Sequence, residues 1–173
     1  MLEKTITVNG FSKSFAMTGW RLGYIGAPRF IADACVKIQG QFTSGANSFA
    51  QKAGIYALKH AGEDVAAMKR AFQSRRDLIL HLLKDIPGLT CNVPKGAFYV
   101  FPEIGTFFGK SCGEWHINNA EDFCDFLLQD AHVATVAGSA FGAPQCFRIS
   151  YAASEADIKE AIRRIGHSLA KLT

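Results

Sequence analysis

No stretch of this sequence comes near the roughly 18 unbroken apolar residues that a membrane-crossing helix needs. Residues 1–10 carry neither a basic leader nor a long apolar run of the secretory type. The expectation is therefore a cytoplasmic protein with no membrane partner. There is no C-x-x-C pair either. The five cysteines (Cys35, Cys91, Cys112, Cys124 and Cys146) are odd in number and widely spaced, which argues against a disulfide framework or a zinc knuckle and for buried free thiols. None of the five histidines has a partner at metal-ligand spacing. Nor is there a basic block. The 19 basic and 15 acidic residues are scattered, so the formal charge of +4 gives nucleic acid no stripe to follow, and at most suits a small anion. Internal repeats and low-complexity tracts are absent.

What is present is an ordinary globular composition. With 173 residues, 49% hydrophobic and 20% charged, the chain can bury a core and make one domain or parts of two. The β-branched run Thr5 to Val8 predicts a strand ended by Asn9-Gly10, and Leu22 to Ile25 a second, stopped by Gly26 and Pro28. Helical spacing follows from Arg29 to Phe42, with Ile31, Ala34, Cys35, Ile38 and Phe42 recurring, and from Ser48 to His60, with Phe49, Ile55 and Leu58. Gln41 to Asn47 between them is polar and predicts a loop.

A longer amphipathic helix spans Asp64 to Asp85. Val65, Met68, Phe72, Ile79 and Leu83 line one face, while Lys69, Arg70, Arg75 and Arg76 form the wet side. Beyond Pro87-Gly88, short strands are expected at Leu89 to Val93, Phe98 to Phe101, His132 to Val136 and Phe147 to Tyr151. Helices are expected at Ala120 to Ala131 and Glu155 to Leu172. The last helix opens with Ser154 and Asp157 at capping-box spacing, and Ile158, Ile162, Ile165 and Leu169 make its stripe. Gly105 to Asn119 reads as loop, and Pro94 to Pro102 as a β-hairpin with core aromatics.

Chemistry concentrates in Asn9-Gly10-Phe11-Ser12-Lys13-Ser14-Phe15-Ala16-Met17-Thr18-Gly19-Trp20-Arg21-Leu22-Gly23-Tyr24. A lysine and an arginine share one connection between two strand-like segments. Glycines there let backbone approach an anion, and a guanidinium binds phosphate through paired hydrogen bonds. This wording resembles the active-site signature of the class I/II aminotransferases, pyridoxal 5′-phosphate (PLP) enzymes of fold type I, and within them the aspartate and aromatic aminotransferase subgroup. The resemblance implies that Lys13 holds the cofactor's aldehyde as a Schiff base and later shuttles a proton at the substrate Cα, and that Arg21 grips the cofactor phosphate. Ser12 is a further cofactor contact on the same grounds, although a plain loop serine fits equally. Where many relatives have a hydroxyl residue three positions before the lysine, this chain has Gly10.

A second constellation is Val136 to Gly142 followed by Phe147-Arg148-Ile149-Ser150-Tyr151-Ala152. Strand alternation sets Phe147, Ile149 and Tyr151 on one face and Arg148 with Ser150 on the other. By itself this describes an edge charge as well as a ligand clamp. The pairing of G-S-A-F-G with F-R-I-S-Y-A again resembles the aminotransferases, which implies that Arg148 binds the substrate α-carboxylate. Gln41 to Asn47 matches a family loop near the neighbouring subunit's site, and none of its residues is assigned to catalysis.

The resemblance covers nearly all of the chain and implies an α/β fold: the C-terminal end of a PLP-transferase large domain followed by the α+β small domain. The expected parts are residues 1–62 (end of the cofactor-binding domain), 63–85 (connecting helix) and 86–173 (small domain). Implied partners are an amino acid, with aspartate or an aromatic donor favoured, a 2-oxo acid, and a second copy in a homodimer when full length. Whole family members carry a long upstream segment that supplies further cofactor contacts, so this polypeptide alone is expected to bind the cofactor weakly and turn over little. The competing reading is a non-catalytic fragment, or an effector-binding module of a regulator with the same fold.

Overall fold

The computed structural model describes residues 2–173, which separate into two units after Lys69.

In the first unit, β1 (Thr7–Gly10) and β2 (Gly23–Gly26) form an antiparallel ladder running from Thr7 opposite Gly26 to Gly10 opposite Gly23. A Cβ at Gly23 would stand 3.0 Å from the Asn9 carbonyl oxygen, so glycine allows the tight end of the ladder. Two helices follow, α1 (Arg29–Thr43) and α2 (Ser48–His60). Asn47 caps α2, its Oδ1 accepting from the amides of Phe49 (3.0 Å) and Ala50 (3.3 Å).

Packing in this unit departs from expectation. Phe49, Ile55 and Leu58 of α2 are exposed, as are Ile38 and Phe42 of α1, while α2 buries Ala50 and Gly54. The reason is distance of approach: a Cβ on Gly54 would lie 2.6 Å from Leu22 Cδ2 and 3.2 Å from Phe11 Cζ. Only a face of small residues lets the helix sit this close to the β1–β2 connection. The larger side chains stay exposed, Phe49 meeting the Trp20 ring edge-on at 6.3 Å.

Helix α3 (Gly62–Lys84) crosses the division. Glu63 and Asp64 in its first turn and His81 and Lys84 in its last both suit the helix dipole. Ile79, Leu80 and Leu83 are buried. Arg75 and Arg76, expected on the wet side, are half-buried instead. Arg76 lies with its stem along the protein and its head bonded to Asp77 Oδ1 (2.7 and 2.9 Å) and the Pro94 carbonyl (3.2 Å).

The second unit is built on a three-stranded antiparallel sheet in the order β3 (Tyr99–Val100), β7 (Phe147–Ser150), β6 (Val136–Ala137). The segment expected to be a local hairpin thus supplies β3, which pairs with a strand far along the chain; Tyr151 locks it, with its amide on the Phe98 carbonyl and its hydroxyl on the Ala97 carbonyl, both at 2.9 Å. The strand expected over 89–93 contracts to one bridge, Thr90 to Glu103. Pro102, next to Glu103, has no N–H with which to extend the ladder. The region read as loop contains a hairpin, β4 (Ser111–Cys112) and β5 (Trp115–His116), turned at Gly113 with φ 59°. Thr173 exchanges two backbone hydrogen bonds with Ser111.

Helix α4 (Ala120–Phe126) is capped by Asn119 and widens into a π turn over Leu127–Ala131. Helix α5 (Glu155–Leu169) buries Ile158, Ile162, Ile165 and Leu169, the stripe expected of it. The Ser154 hydroxyl accepts from the Asp157 amide (3.1 Å) and donates to the Asp157 carboxylate (2.6 Å), so the cap is reciprocal through the hydroxyl. At the core's centre the Phe123 ring meets Phe147 at 5.0 Å and Phe107 at 5.6 Å. All five cysteines are free, but only Cys124 is buried, and Cys35 is exposed. Burial pushes the Cys91 and Cys124 thiols up from their ordinary value. No group of His, Cys, Asp and Glu among the described residues could hold a metal ion, and all five histidines are exposed.

Candidate active site

The two constellations that the sequence marks as candidates lie one in each unit. In the first, the connection from β1 to β2 is folded by its own backbone. The Phe11 amide bonds the Leu22 carbonyl (3.1 Å) and so continues the ladder by one rung. Phe15 and Met17 both turn back to the Phe11 carbonyl, at 3.3 and 3.4 Å, and Ala16 to that of Lys13 (3.1 Å). Phe11 and Met17 are buried and hold the loop from inside. Lys13 is thereby carried on the exposed crest of a short turn, with Ser12 half-buried beside it.

Two residues in this loop have left-handed backbones, Ala16 (φ 53°) and Arg21 (φ 51°). Such conformations are costly for a residue with a side chain and are retained where the surrounding structure over-determines them. At Arg21 the turn closes a single helical turn over Thr18–Trp20, and Nη1 donates to the Thr18 carbonyl at 2.8 Å. That bond fixes the guanidinium's direction. A guanidinium has five N–H donors, so most are left to present to an anion.

Arg21 opens onto a cleft of about 700 Å³ within this unit. Gly19 and Trp20 form one wall; Thr43, Gly45 and Asn47 of the α1–α2 turn form the other. A Cβ at Gly19 would meet nothing within 4 Å, so the loop leaves an open approach to the backbone there. The expected loop at 41–47 is shortened by α1 to residues 44–47, with Ser44 (φ 60°) and Gly45 (φ 101°) making the bend. Gln39, whose amide donates to the Thr43 hydroxyl, also lines the cleft. Thr43, Gly45 and Asn47 fall in the segment 41–47 that the sequence reading matches to a family loop without assigning any of them a role, and Gln39 lies outside it. The polar spacing Thr43 to Asn47 was the signal available.

In the second unit, β7 shows the alternation expected of it. Phe147, Ile149 and Tyr151 are buried, whereas Arg148 is half-buried and Ser150 exposed. The guanidinium carbon of Arg148 lies 4.4 Å from the centroid of Tyr99 and 4.6 Å from that of Phe141. Among the described residues, Arg148 makes no hydrogen bond or ion pair with a carboxylate. A charged fork held between rings, with its donors unspent, suits capture of a small carboxylate.

The structure therefore brings Lys13, Ser12 and Arg21 together on one connection and places Arg148 in the middle of a separate sheet. Comparison with known proteins bears on both. The sequence profile of the family Aminotransferase class I and II matches residues 2–165. The bifunctional aspartate aminotransferase and glutamate/aspartate-prephenate aminotransferase of Petunia hybrida is 49% identical over 98% of this chain, which spans 36% of that protein. An aspartate aminotransferase of Rhizobium meliloti strain 1021 is 47% identical over 99% of the chain, which spans 42% of it. Among solved structures, an aspartate aminotransferase from Rhizobium meliloti superposes with a TM-score of 0.94 at 46% identity, covering 99% of this chain and 43% of that one. An aromatic aminotransferase from Pyrococcus horikoshii gives 0.87 at 41%, covering 98% and 44%. With the motifs of both units matched along almost its whole length, the chain belongs to the class I and II aminotransferases.

Proposed function

We propose that this chain forms part of a PLP-dependent aminotransferase that moves an amino group from an amino acid, aspartate or an aromatic donor, to a 2-oxo acid. The observation that carries the reading is the β1–β2 connection, which bears an exposed lysine and, eight residues on, an arginine that is bonded to the Thr18 carbonyl and lines a glycine-edged cleft. Those residues fit a phosphorylated aldehyde. Its phosphate needs a multidentate cation and close backbone approach, and Arg21 and Gly19 offer both. Its aldehyde needs a primary amine, which Lys13 supplies.

In this reading the cofactor, when bound, acts as the electron sink for the charge left at the substrate Cα. The chain's own residues do the rest. Arg21, helped by Ser12, anchors the phosphate. Lys13 would hold the cofactor through its amine and, once that amine is free again, would move the proton at the substrate Cα. Arg148 fixes the substrate α-carboxylate, which orients the Cα–H bond for removal. Residues 1–62 would close the large domain, 63–85 connect, and 86–173 form the small domain. The working protein would be a cytoplasmic homodimer.

The test is chemical. Full-length protein is reconstituted with PLP, reduced with borohydride and digested; the labelled peptide is expected to contain Lys13. A label elsewhere, or Lys13→Ala protein that still takes up label, would overturn the proposal.

A further inference from the structure

Arg148 is held in a way that the carboxylate-binding role alone does not require. It sits on the central strand of the β3-β7-β6 sheet, and the two rings that cover it come from opposite flanks. Tyr99 belongs to β3. Because Tyr99 pairs with Ser150, which shares a face with Arg148, the phenol ring lies diagonally across the ladder from the guanidinium. Phe141 ends the short turn Gly138–Phe141 that leaves β6, the strand whose Val136 pairs with Arg148. The two rings thus approach one charge from β3 on one flank and from the turn that follows β6 on the other.

Each ring is itself braced. Tyr99 lies 4.3 Å from Phe98, centroid to centroid, and Phe141 meets Phe101 edge-on at 6.1 Å. The turn that presents Phe141 is pinned by three bonds: Gly138 amide to the Cys146 carbonyl (2.8 Å), Ala143 amide to the Gly138 carbonyl, and Gly142 amide to the Ser139 carbonyl (both 3.0 Å). A Cβ at Gly138 would come within 2.2 Å of the Ala143 carbonyl oxygen and 2.3 Å of that of Cys146.

We infer that Tyr99 and Phe141 are positioning residues that grip the flat faces of Arg148 and leave only the edge of its guanidinium to meet the substrate carboxylate. This rests on the reading that Arg148 binds that carboxylate. The physics is direct. Arginine loses much rotamer freedom when it binds a planar anion, and rings that hold the fork beforehand shift that ordering cost from binding to folding. Facial cover also removes water from the guanidinium without spending its N–H donors, whereas an acidic neighbour would compete with the substrate for them.

The experiment uses the full-length enzyme and four ring variants: Tyr99→Leu, Phe141→Leu, Tyr99→Phe and Phe141→Tyr. Loss of either ring is expected to raise KM for aspartate, and the inhibition constant of maleate, by roughly 3- to 10-fold. It should also raise KM for an aromatic donor by the same factor, since every donor has the same α-carboxylate, with kcat within about twofold. The ring-keeping variants Tyr99→Phe and Phe141→Tyr should restore wild-type values. Phe141 is about half exposed (51%), so its leucine variant is expected to fold whatever happens at Tyr99.

Arg148→Lys separates the two readings. If it leaves KM unchanged, the carboxylate assignment fails. If it raises KM while both leucine variants stay at wild-type values, the carboxylate assignment stands and the clamp is overturned. A fall in kcat with KM unchanged in the leucine variants would likewise overturn the clamp.

Discussion

The two units treat their large apolar side chains in opposite ways. Residues 70–173 gather Phe107, Phe123, Phe126, Phe147 and the α5 isoleucines into a shared interior from which water is excluded. Residues 2–69 bury little beyond Phe11, Met17 and Ala50, and leave Phe30, Val36, Phe42, Phe49 and Tyr56 each more than two-thirds exposed. Burial of apolar surface is the main force opposing chain entropy. The second unit has that force at its disposal and the first has very little. The same sequence-level hydrophobicity therefore means a core in one region and an uncovered surface in the other.

The largest expected effect tests this contrast outright. Residues 62–173, which keep α3 whole, should melt cooperatively when expressed alone, by circular dichroism or calorimetry. Residues 1–61 should show no transition. A cooperative transition in the short fragment would mean that its backbone bonds and small-residue packing suffice without a core, and the comparison would collapse.

Next in size are two phenylalanine truncations. Phe123→Ala removes a fully buried ring from the Phe107–Phe147 cluster and should cost about 3–5 kcal/mol in urea unfolding of the 173-residue chain. Phe42→Ala, at an 84% exposed site, should change it by less than about 0.5 kcal/mol. Repeating Phe42→Ala in the full-length protein sharpens the point. If the exposed α1 face is covered there, the cost should rise to several times that value.

What could be read in advance follows the same division. The α5 stripe was legible because four isoleucine and leucine residues recur at helical spacing and one surface buries them all. The faces of β7 were legible because Phe147, Ile149 and Tyr151 alternate with Arg148 and Ser150. In α2 the pattern misled: Phe49, Ile55 and Leu58 marked an apolar face, yet close approach to Leu22 and Phe11 selected Ala50 and Gly54. Strands of two residues, such as β4 and β5, are too short to show a period at all. For the site, the signature around Lys13 and Arg21 and the strand of Arg148 were in the sequence. The rings of Tyr99 and Phe141 were not assigned, because which side chains flank an arginine depends on the register between strands. Alternation within one strand does not contain that information.

Gly138 offers a middle-sized effect that probes register directly. Gly138→Ala forces a methyl against two carbonyl oxygens, and the strain is expected to cost about 1–3 kcal/mol. Gly142→Ala in the same turn has nothing within 4 Å of its Cβ but requires φ 75°, so its cost is conformational and should be nearer 1 kcal/mol. Denaturation midpoints of the two variants should fall in that order; the reverse order would show that the turn's fit against β7 is looser than its contacts imply.

The smallest effect lies at the edge of the second unit, where Lys171 Nζ is 2.8 Å from both carboxylate oxygens of Asp130. That ammonium, more than any other group, holds the Asp130 carboxyl below its ordinary value of 3.8. The Ser168 hydroxyl adds to it. Because the folded value is depressed, the pair contributes stability above the unfolded carboxylate value, and the contribution is lost as pH falls through the lowered one. Both side chains remain partly exposed, so solvent screening limits it to about 0.2–1 kcal/mol. Lys171→Met should therefore lower the melting temperature of residues 62–173 slightly at neutral pH, and the difference from wild type should vanish once acid has protonated Asp130. A difference that persists unchanged into acid would assign the effect to the packing of the lysine stem against the unit rather than to its charge.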